Sequence, residues 1–464
     1  MGGTMASFRL LLLGSLLALT RLRQCSGKRT PTGEKTWDGD LWFDLYTDDE
    51  APRPYGPKSD SWKKPDTTIF IGVSAFRDLR CPKTLVNYFT KARNPDRVTI
   101  GLVLQNDVAD PDCVKEYCKL MGAREGPECP HWDQIRPMRI QDRLAAGPCF
   151  GRHLQTYLLR DEEFCMQTDS HMGAVQDWDQ ILLDMWGRAD NEYGVLTTYV
   201  NKEEHLIHAN NRAWGVPHLC QVMFTADKHP RYVQAKMAKG LRRPKLTNTW
   251  AAGFNFAKCH AWRAVPYDPH LRMVFDGEEF SMHIRLWTRG YDTYTPDRLA
   301  IGHDYNGVKK GEGPPPSSWL KNNLKSSPRF GRLGSYLYLH EMLGMPKQRP
   351  PPPGWGMPPE EDLKRYGLGD KRTVQQYQEF VGVNLSALNV TTNRCGTIQW
   401  VPFEETWPPT ENNLRGPYWE RVLSGRGVHA EDYASAGSRL ALVRAAARAQ
   451  TAAGGSGGGR GHGA

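Results

Sequence analysis

Two short apolar runs separated by a helix-patterned segment constrain this chain more than any other feature. Thr68–Ser74 reads TIFIGVS and Val98–Leu104 reads VTIGLVL. Each has the length of a strand and is bounded by polar residues, which predicts buried β-strands. Between them, Pro82–Ala92 places Leu85, Phe89 and Ala92 on one face of a helix. Strand, helix and strand with short connections predict a parallel βαβ unit. Further strands are expected at Phe164–Thr168 and Gly194–Tyr199, with a fifth at Leu219–Thr225. The expected fold class is α/β with a largely parallel sheet. In such sheets ligands sit outside the carboxyl ends of the strands. Arg77, Asp78 and the Asp169–His171 segment fall at those ends.

The 464 residues are 39% hydrophobic and 24% charged, enough to bury a large core and unlike a wholly disordered chain. Leu10–Leu19 is an apolar run flanked by Arg9, Arg21 and Arg23, so residues 1–27 read as a signal peptide or a short signal-anchor. That anchor is the only membrane attachment expected. Residues 28–65 read as an irregular stem, 66–345 as the catalytic body, and 346–370 as a stiff linker around Pro350–Pro353. Residues 371–405 form a small extension of the body. The Ala-, Gly- and Arg-rich stretch 406–464 reads as a largely disordered tail. Cys25 lies in the leader; the other nine cysteines are an odd set, so at least one is free in a monomer, and none forms a CxxC pair. Two glycosylation sequons, at Asn384 and Asn389, fit a secretory route. A net charge of +9 accommodates a phosphate-bearing ligand without calling for nucleic acid.

Three segments could carry chemistry. In Asp169-Ser170-His171, residues i and i+2 of an extended chain point the same way, so a carboxylate and an imidazole can share one cation. That donor pair suits Mn²⁺ better than calcium. In the second, Asp276 followed by Glu279 looks like the capping box of a helix ended by Gly290. Its acids Asp276, Glu278 and Glu279 either cap the helix or face a cleft, where they bind sugar hydroxyls or accept a proton. The third is His303 in Ile301–Tyr305. Arg152 and the basic stretch 231–245 can meet phosphate, although a solvated basic face is the ordinary reading of such a run.

Several blocks together are more specific. They are Ser74–Asp78 with Cys81–Thr84, Asn94–Arg97, Ala146–Pro148, Gln167–Met172 with Trp178-Asp179, Val265–Pro269, Phe275–Glu279 and Arg285–Asp292. In this order the chain resembles the family of retaining GlcNAc-transferases that includes the hydroxyproline N-acetylglucosaminyltransferases of ubiquitin-ligase adaptor proteins. The likeness spans roughly residues 66–345, with a weaker echo at 371–403.

The resemblance implies a glycosyltransferase of the A-type, Rossmann-like fold. It implies UDP-GlcNAc as donor, Mn²⁺ or Mg²⁺ as cofactor, and a Ser, Thr or hydroxyproline hydroxyl of a protein as acceptor, with retention of configuration. It puts Asp169 and His171 on the metal, with His303 as third ligand. Ser74, Arg77, Asp78, Gly147, Arg152, Asp169 and Trp287 are implied on the donor side, and Asp276, Glu278 and Glu279 at the acceptor side. The adaptor-modifying members are expected in the cytosol, whereas the leader points to the lumen of the endoplasmic reticulum or Golgi, or to secretion. The cytosol follows only if the leader is not functional. A metal-dependent lectin-like protein and a nucleotide-sugar hydrolase are the rival functions.

Overall fold

The computed structural model describes residues 29–37, 42–48, 53–307 and 331–409, apart from positions 212 and 234. The expected leader and most of the expected tail lie outside the described residues.

The centre is an eight-stranded sheet. Its strands, numbered in chain order, are β1 (Ile69–Phe76), β2 (Val98–Asn106), β3 (Ile135–Gln141), β4 (Phe164–Thr168), β5 (Gly194–Thr197), β6 (Lys245–Thr247), β7 (Phe254–Lys258) and β8 (Asp292–Thr295). The spatial order is β6-β8-β5-β7-β4-β1-β2-β3. β1, β2, β3 and β4 pair in parallel, as do β5 and β8. β7 runs antiparallel between β4 and β5, and β6 runs antiparallel on β8. Six strands therefore point one way, and the expected α/β, mainly parallel sheet is present.

The apolar runs become strands because each is sealed on both faces. Ile69, Ile71, Val73, Ile100 and Leu102 pack with Trp178 and Trp186 of helix α3 (Trp178–Ala189) and with Leu85, Tyr88 and Phe89 of helix α1 (Cys81–Thr90). A second core holds Trp250, Phe280 and Trp287 against Tyr377 and Phe380. Those residues lie in helices α4 (Glu278–Thr288) and α6 (Val374–Val381), except Trp250. Helix α2 (Pro148–Gln155) lies on β1 and β2 so closely that a Cβ on Gly151 would meet Ser74 Oγ at 3.2 Å. Each large buried side chain contributes roughly 1.5–3 kcal/mol relative to an exposed one.

Four details differ from the sequence reading. The expected irregular stem carries two strands, Arg29–Trp37 and Trp42–Asp48, which pair antiparallel, and the first also pairs with Lys236–Lys239. The segment Leu219–Thr225 gives only Val222–Phe224, which pairs with Pro230–Tyr232 in a separate ribbon. Met223 in it is 44% exposed, so the ribbon has too little apolar surface to enter the sheet. Asp276 does not cap α4: Gly277 does, at φ +96°, a left-handed conformation that favours glycine. The stretch 346–370, read as a stiff linker, has residues packed against the body. It contains a helix, Glu360–Tyr366, whose Tyr366 is buried, and Trp355 Nε1 donates to Gly334 O at 3.0 Å.

Disulfides join Cys81 to Cys113, Cys118 to Cys129, Cys165 to Cys259 and Cys220 to Cys395. Cys149 is free and buried, in line with the odd count. No helix among the described residues is long and apolar enough to cross a membrane.

Candidate active site

The carboxyl ends of β1 and β4 lie side by side, with Val73 opposite Thr168. The two chains leaving them deliver Arg77-Asp78 and Asp169-Ser170-His171 to one place. β7 runs the other way, so its start meets the end of β4, with Phe254 opposite Thr168. Gly253 consequently sits against Asp169, where a Cβ would come within 2.9 Å of Oδ2. His303 arrives through a short antiparallel ladder, Met172–Ala174 with Ile301–His303, that pairs His303 with Met172. The His171 and His303 rings meet edge to face at 4.5 Å.

The donor atoms of Asp169, His171 and His303 lie within 4.8 Å of one another. Bonds of about 2–2.2 Å to a small divalent cation span such a group. One carboxylate and two imidazoles form a borderline set that suits Mn²⁺ and its neighbours. His303 Nδ1 is buried with no hydrogen-bond partner, and the second ring nitrogen stands 3.4 Å from Asp169 Oδ2. His171 spends Nδ1 on Asp78 Oδ2 at 2.5 Å, which leaves Nε2 for a ligand. The residues present therefore fit a metal. Burial opposes the charge on Asp169, but the His303 hydrogen bond and the positive charge of Arg152 hold its carboxyl well below the usual range.

Asp78, a donor-side residue by the resemblance, stands directly behind His171. Its carboxylate also accepts from Ser170 Oγ at 2.6 Å and from Arg80 Nε at 3.0 Å. Burial works against its charge, and His171, Ser170 and Arg80 outweigh burial to keep it ionised. A carboxylate behind a histidine fixes the tautomer and aims the ring. We therefore predict that Asp78→Asn weakens Mn²⁺ binding by about 10- to 100-fold. Calorimetric Mn²⁺ titration of the folded variant checks this, and unaltered affinity would remove Asp78 from the support of the site.

Arg152 ties the two halves of the cleft together. It donates to Asp169 Oδ1 at 2.8 Å and, through its other terminal nitrogen, to Glu278 Oε1. Glu278 also accepts from Tyr267 OH at 3.1 Å. Burial raises the Glu278 carboxyl against the pull of Arg152. Glu278 is 3% exposed, with Oε1 shared between Arg152 and Tyr267, whereas Glu279 is half-buried. Glu279 accepts from Ala252 N at 2.9 Å and from Tyr199 OH. Burial pushes its carboxyl up to about 7, against those two hydrogen bonds. A carboxyl poised there can accept or give a proton near neutral pH.

The remaining sequence candidates divide. Ser74 Oγ accepts from Gln155 Nε2 at 3.1 Å, beneath α2. Gly147, at φ +91°, precedes the first residue of α2 and turns the chain into it. Arg77 lies at φ +51° with its guanidinium on Asp110, at 2.7 and 2.8 Å, and on Asp142 at 3.4 Å. Asp276 is turned away to Arg231, 3.5 Å off. Trp287 is not brought to the site. It lies roughly 13 Å along α4 from Glu278, given 1.5 Å per residue, buried between Arg372 and Phe380. Tyr199, Tyr267 and Tyr305 lie in segments that the sequence singled out but were not read as site residues. Tyr305 packs on His303 at 4.1 Å and is 54% exposed. Its two-residue spacing from His303 was a signal that could have found it.

The profile of the glycosyltransferase (GlcNAc) family matches residues 68–129 and 118–387. A search of curated proteins finds no match. Among solved structures the chain is similar to GalNAc-T7 with UDP, GalNAc and Mn²⁺, at 14% identity and a TM-score of 0.40 over 59% of this chain and 48% of that one. It is also similar to the mannosyltransferase PcManGT from Pyrobaculum calidifontis with GDP-Man and Mn²⁺, at 13% identity and a TM-score of 0.33, covering 71% and 77%. TarS 1-349 from S. aureus with UDP-GlcNAc gives 12% identity and a TM-score of 0.36, covering 60% and 66%. The chain thus spans about half the length of GalNAc-T7. With well over half of its residues inside the family profile, this chain belongs to the glycosyltransferase (GlcNAc) family.

Proposed function

We propose that the protein is a metal-dependent N-acetylglucosaminyltransferase that moves GlcNAc from UDP-GlcNAc to a hydroxyl of a protein acceptor, with retention. The observation that carries this reading is the Asp169, His171 and His303 donor set at the strand ends, joined through Arg152 to the two glutamates of α4.

In this reading Asp169, His171 and His303 hold Mn²⁺, which when bound neutralises the departing diphosphate. Asp78 keeps the His171 ring in register. Arg152 lies against Asp169 and adds fixed positive charge where the phosphates gather. Ser74, Arg77 and Gly147 shape the donor side of the cleft: Gly147 by its turn into α2, Arg77 by clamping the loops of Asp110 and Asp142. Glu279 faces the acceptor and binds or deprotonates its hydroxyl, while Glu278 is spent on Arg152. Four disulfides support an oxidising compartment, in keeping with a secretory location.

The test is UDP release from a panel of UDP-sugars with Mn²⁺, with and without protein acceptors. We expect UDP-GlcNAc to be preferred and turnover to rise with an acceptor. Free GlcNAc with no acceptor dependence would make the protein a hydrolase. Folded protein that fails to bind UDP with Mn²⁺ would sink the transferase reading and favour a lectin-like one.

A further inference from the structure

A second cavity, of about 500 Å³, lies outside the metal site. One wall is the turn of the ribbon Val222–Phe224 with Pro230–Tyr232, carrying Asp227, Lys228 and His229. The other is helix α5 (Arg332–Met342), with Arg332, Tyr336 and His340. The chain beyond α5 doubles back along it. Trp355 bonds to Gly334 O, and Lys347 Nζ stands 5.3 Å over the Trp355 ring, so Arg349 joins the rim.

The rim is built to receive negative charge. Lys228, Arg332 and Arg349 are exposed, and none has an ion pair among the described residues; Asp227 is the only carboxylate among the described residues that line the cavity. The floor carries buried His229 and His340, with His229 Nδ1 3.1 Å from His340 Nε2 and its ring stacked on Tyr336 at 3.7 Å. Burial lowers His229 to about 4 and lowers His340 as well, so the positive charge sits on the rim and not on the floor. The rim cations come from a turn, a helix start and a returning strand of chain. Such a spread matches several separate carboxylates better than one compact anion, which needs convergent donors.

The cavity also adjoins the catalytic helix. A Cβ on Gly277 would meet Leu339 Cδ2 at 2.7 Å and Pro230 O at 4.0 Å. Leu339 neighbours His340 and Pro230 neighbours His229, so both walls converge two residues before Glu279. Arg231, across the ribbon from Met223, reaches back to Asp276 at 3.5 Å. The cavity wall therefore packs against the start of the helix that carries Glu279, and an extended acceptor chain covers about 3.3–3.6 Å per residue.

We propose that this cavity binds an acidic, Asp- or Glu-rich stretch of the protein acceptor close in sequence to the hydroxyl that receives the sugar. This deepens, and rests on, the transferase reading. The test measures fluorescence anisotropy of a labelled oligoglutamate–threonine peptide, its glutamine counterpart and a phosphoserine counterpart on the full chain. The comparison is with Arg332→Ala/Arg349→Ala and with Arg332→Glu/Arg349→Glu. We expect the glutamate peptide to bind in a salt-sensitive way, about tenfold more weakly in the alanine variant and more weakly still on charge reversal. Equal binding of the glutamate and glutamine peptides overturns the proposal, as does a glutamate affinity unmoved by either variant. Strong preference for phosphoserine overturns it in favour of a phosphate site. UDP binding with Mn²⁺, titrated on the same preparations, keeps the two readings apart. Its absence in the unaltered chain defeats the transferase reading, whereas its persistence in both variants shows that only the acidic site was touched.

Discussion

Asp169→Asn is expected to lower UDP release by about 10²- to 10³-fold while leaving the chain folded, the loss typical of deleting one fixed charge-stabilising group. Asn keeps the shape of the side chain and can still accept from Arg152 through its carbonyl oxygen. It removes the negative charge that His303, Arg152 and His171 all face. Two imidazoles remain, a weaker set for Mn²⁺ without the carboxylate. Mn²⁺ titration should shift to higher concentration, with the thermal unfolding midpoint held near that of the unaltered chain. Full activity at limiting Mn²⁺ would exclude Asp169 as a ligand.

Glu279→Gln should cost transfer about 10²- to 10⁴-fold, the range for removing a positioned acid or base, and leave UDP binding intact. The pH profile gives a second readout. With its carboxyl near 7, Glu279 is protonated below that pH and able to take a proton above it. The rate of the unaltered chain should therefore rise through about pH 7, and the variant should lose that rise. Stability moves the other way. The folded pKa is raised from 4.5, so the native state binds the extra proton between about 4.5 and 7. Stability should fall as pH rises through that window, and Gln should flatten the fall. Loss of UDP binding in the variant would instead assign Glu279 to the donor side.

The sequence carried the strands that are apolar on both faces, because burial leaves a continuous hydrophobic run. Strand β3, IRPMRIQ, is an edge strand with mostly half-buried residues, and its Pro137 is tolerable only because one side is unpaired. Nothing in that text separates it from a loop. β7 and β8 are too polar to stand out, and their burial comes from neighbours distant in the chain. Asp169 and His171 were legible as one unit because two-residue spacing in an extended chain is local geometry. His303 stood out as a candidate on its own, but its place beside Asp169 and His171 was reachable only by resemblance, since a ladder brings it in. The motif blocks also mixed two kinds of residue. Asp179 accepts the backbone N–H of Arg93 and Asn94 at 2.6 and 3.1 Å, and Arg372 pairs with buried Asp292 at 2.9 Å. These are scaffold contacts, and residue type alone does not distinguish a buried scaffold carboxylate from a working one.

The antiparallel placement of β7 bears on how the chain is made. β1 to β4 form a contiguous block of the sheet, while β5, β8 and β6 join it only through β7, which is synthesised after β5. As the polypeptide emerges, β4 and β5 wait with open edges until residue 258 is in place, a gap one strand wide. Open edges are templates for pairing with other chains, and long-range pairing is slow to close. A chain that has not yet reached residue 258 therefore presents two open edges, those of β4 and β5, to any strand that can pair with them.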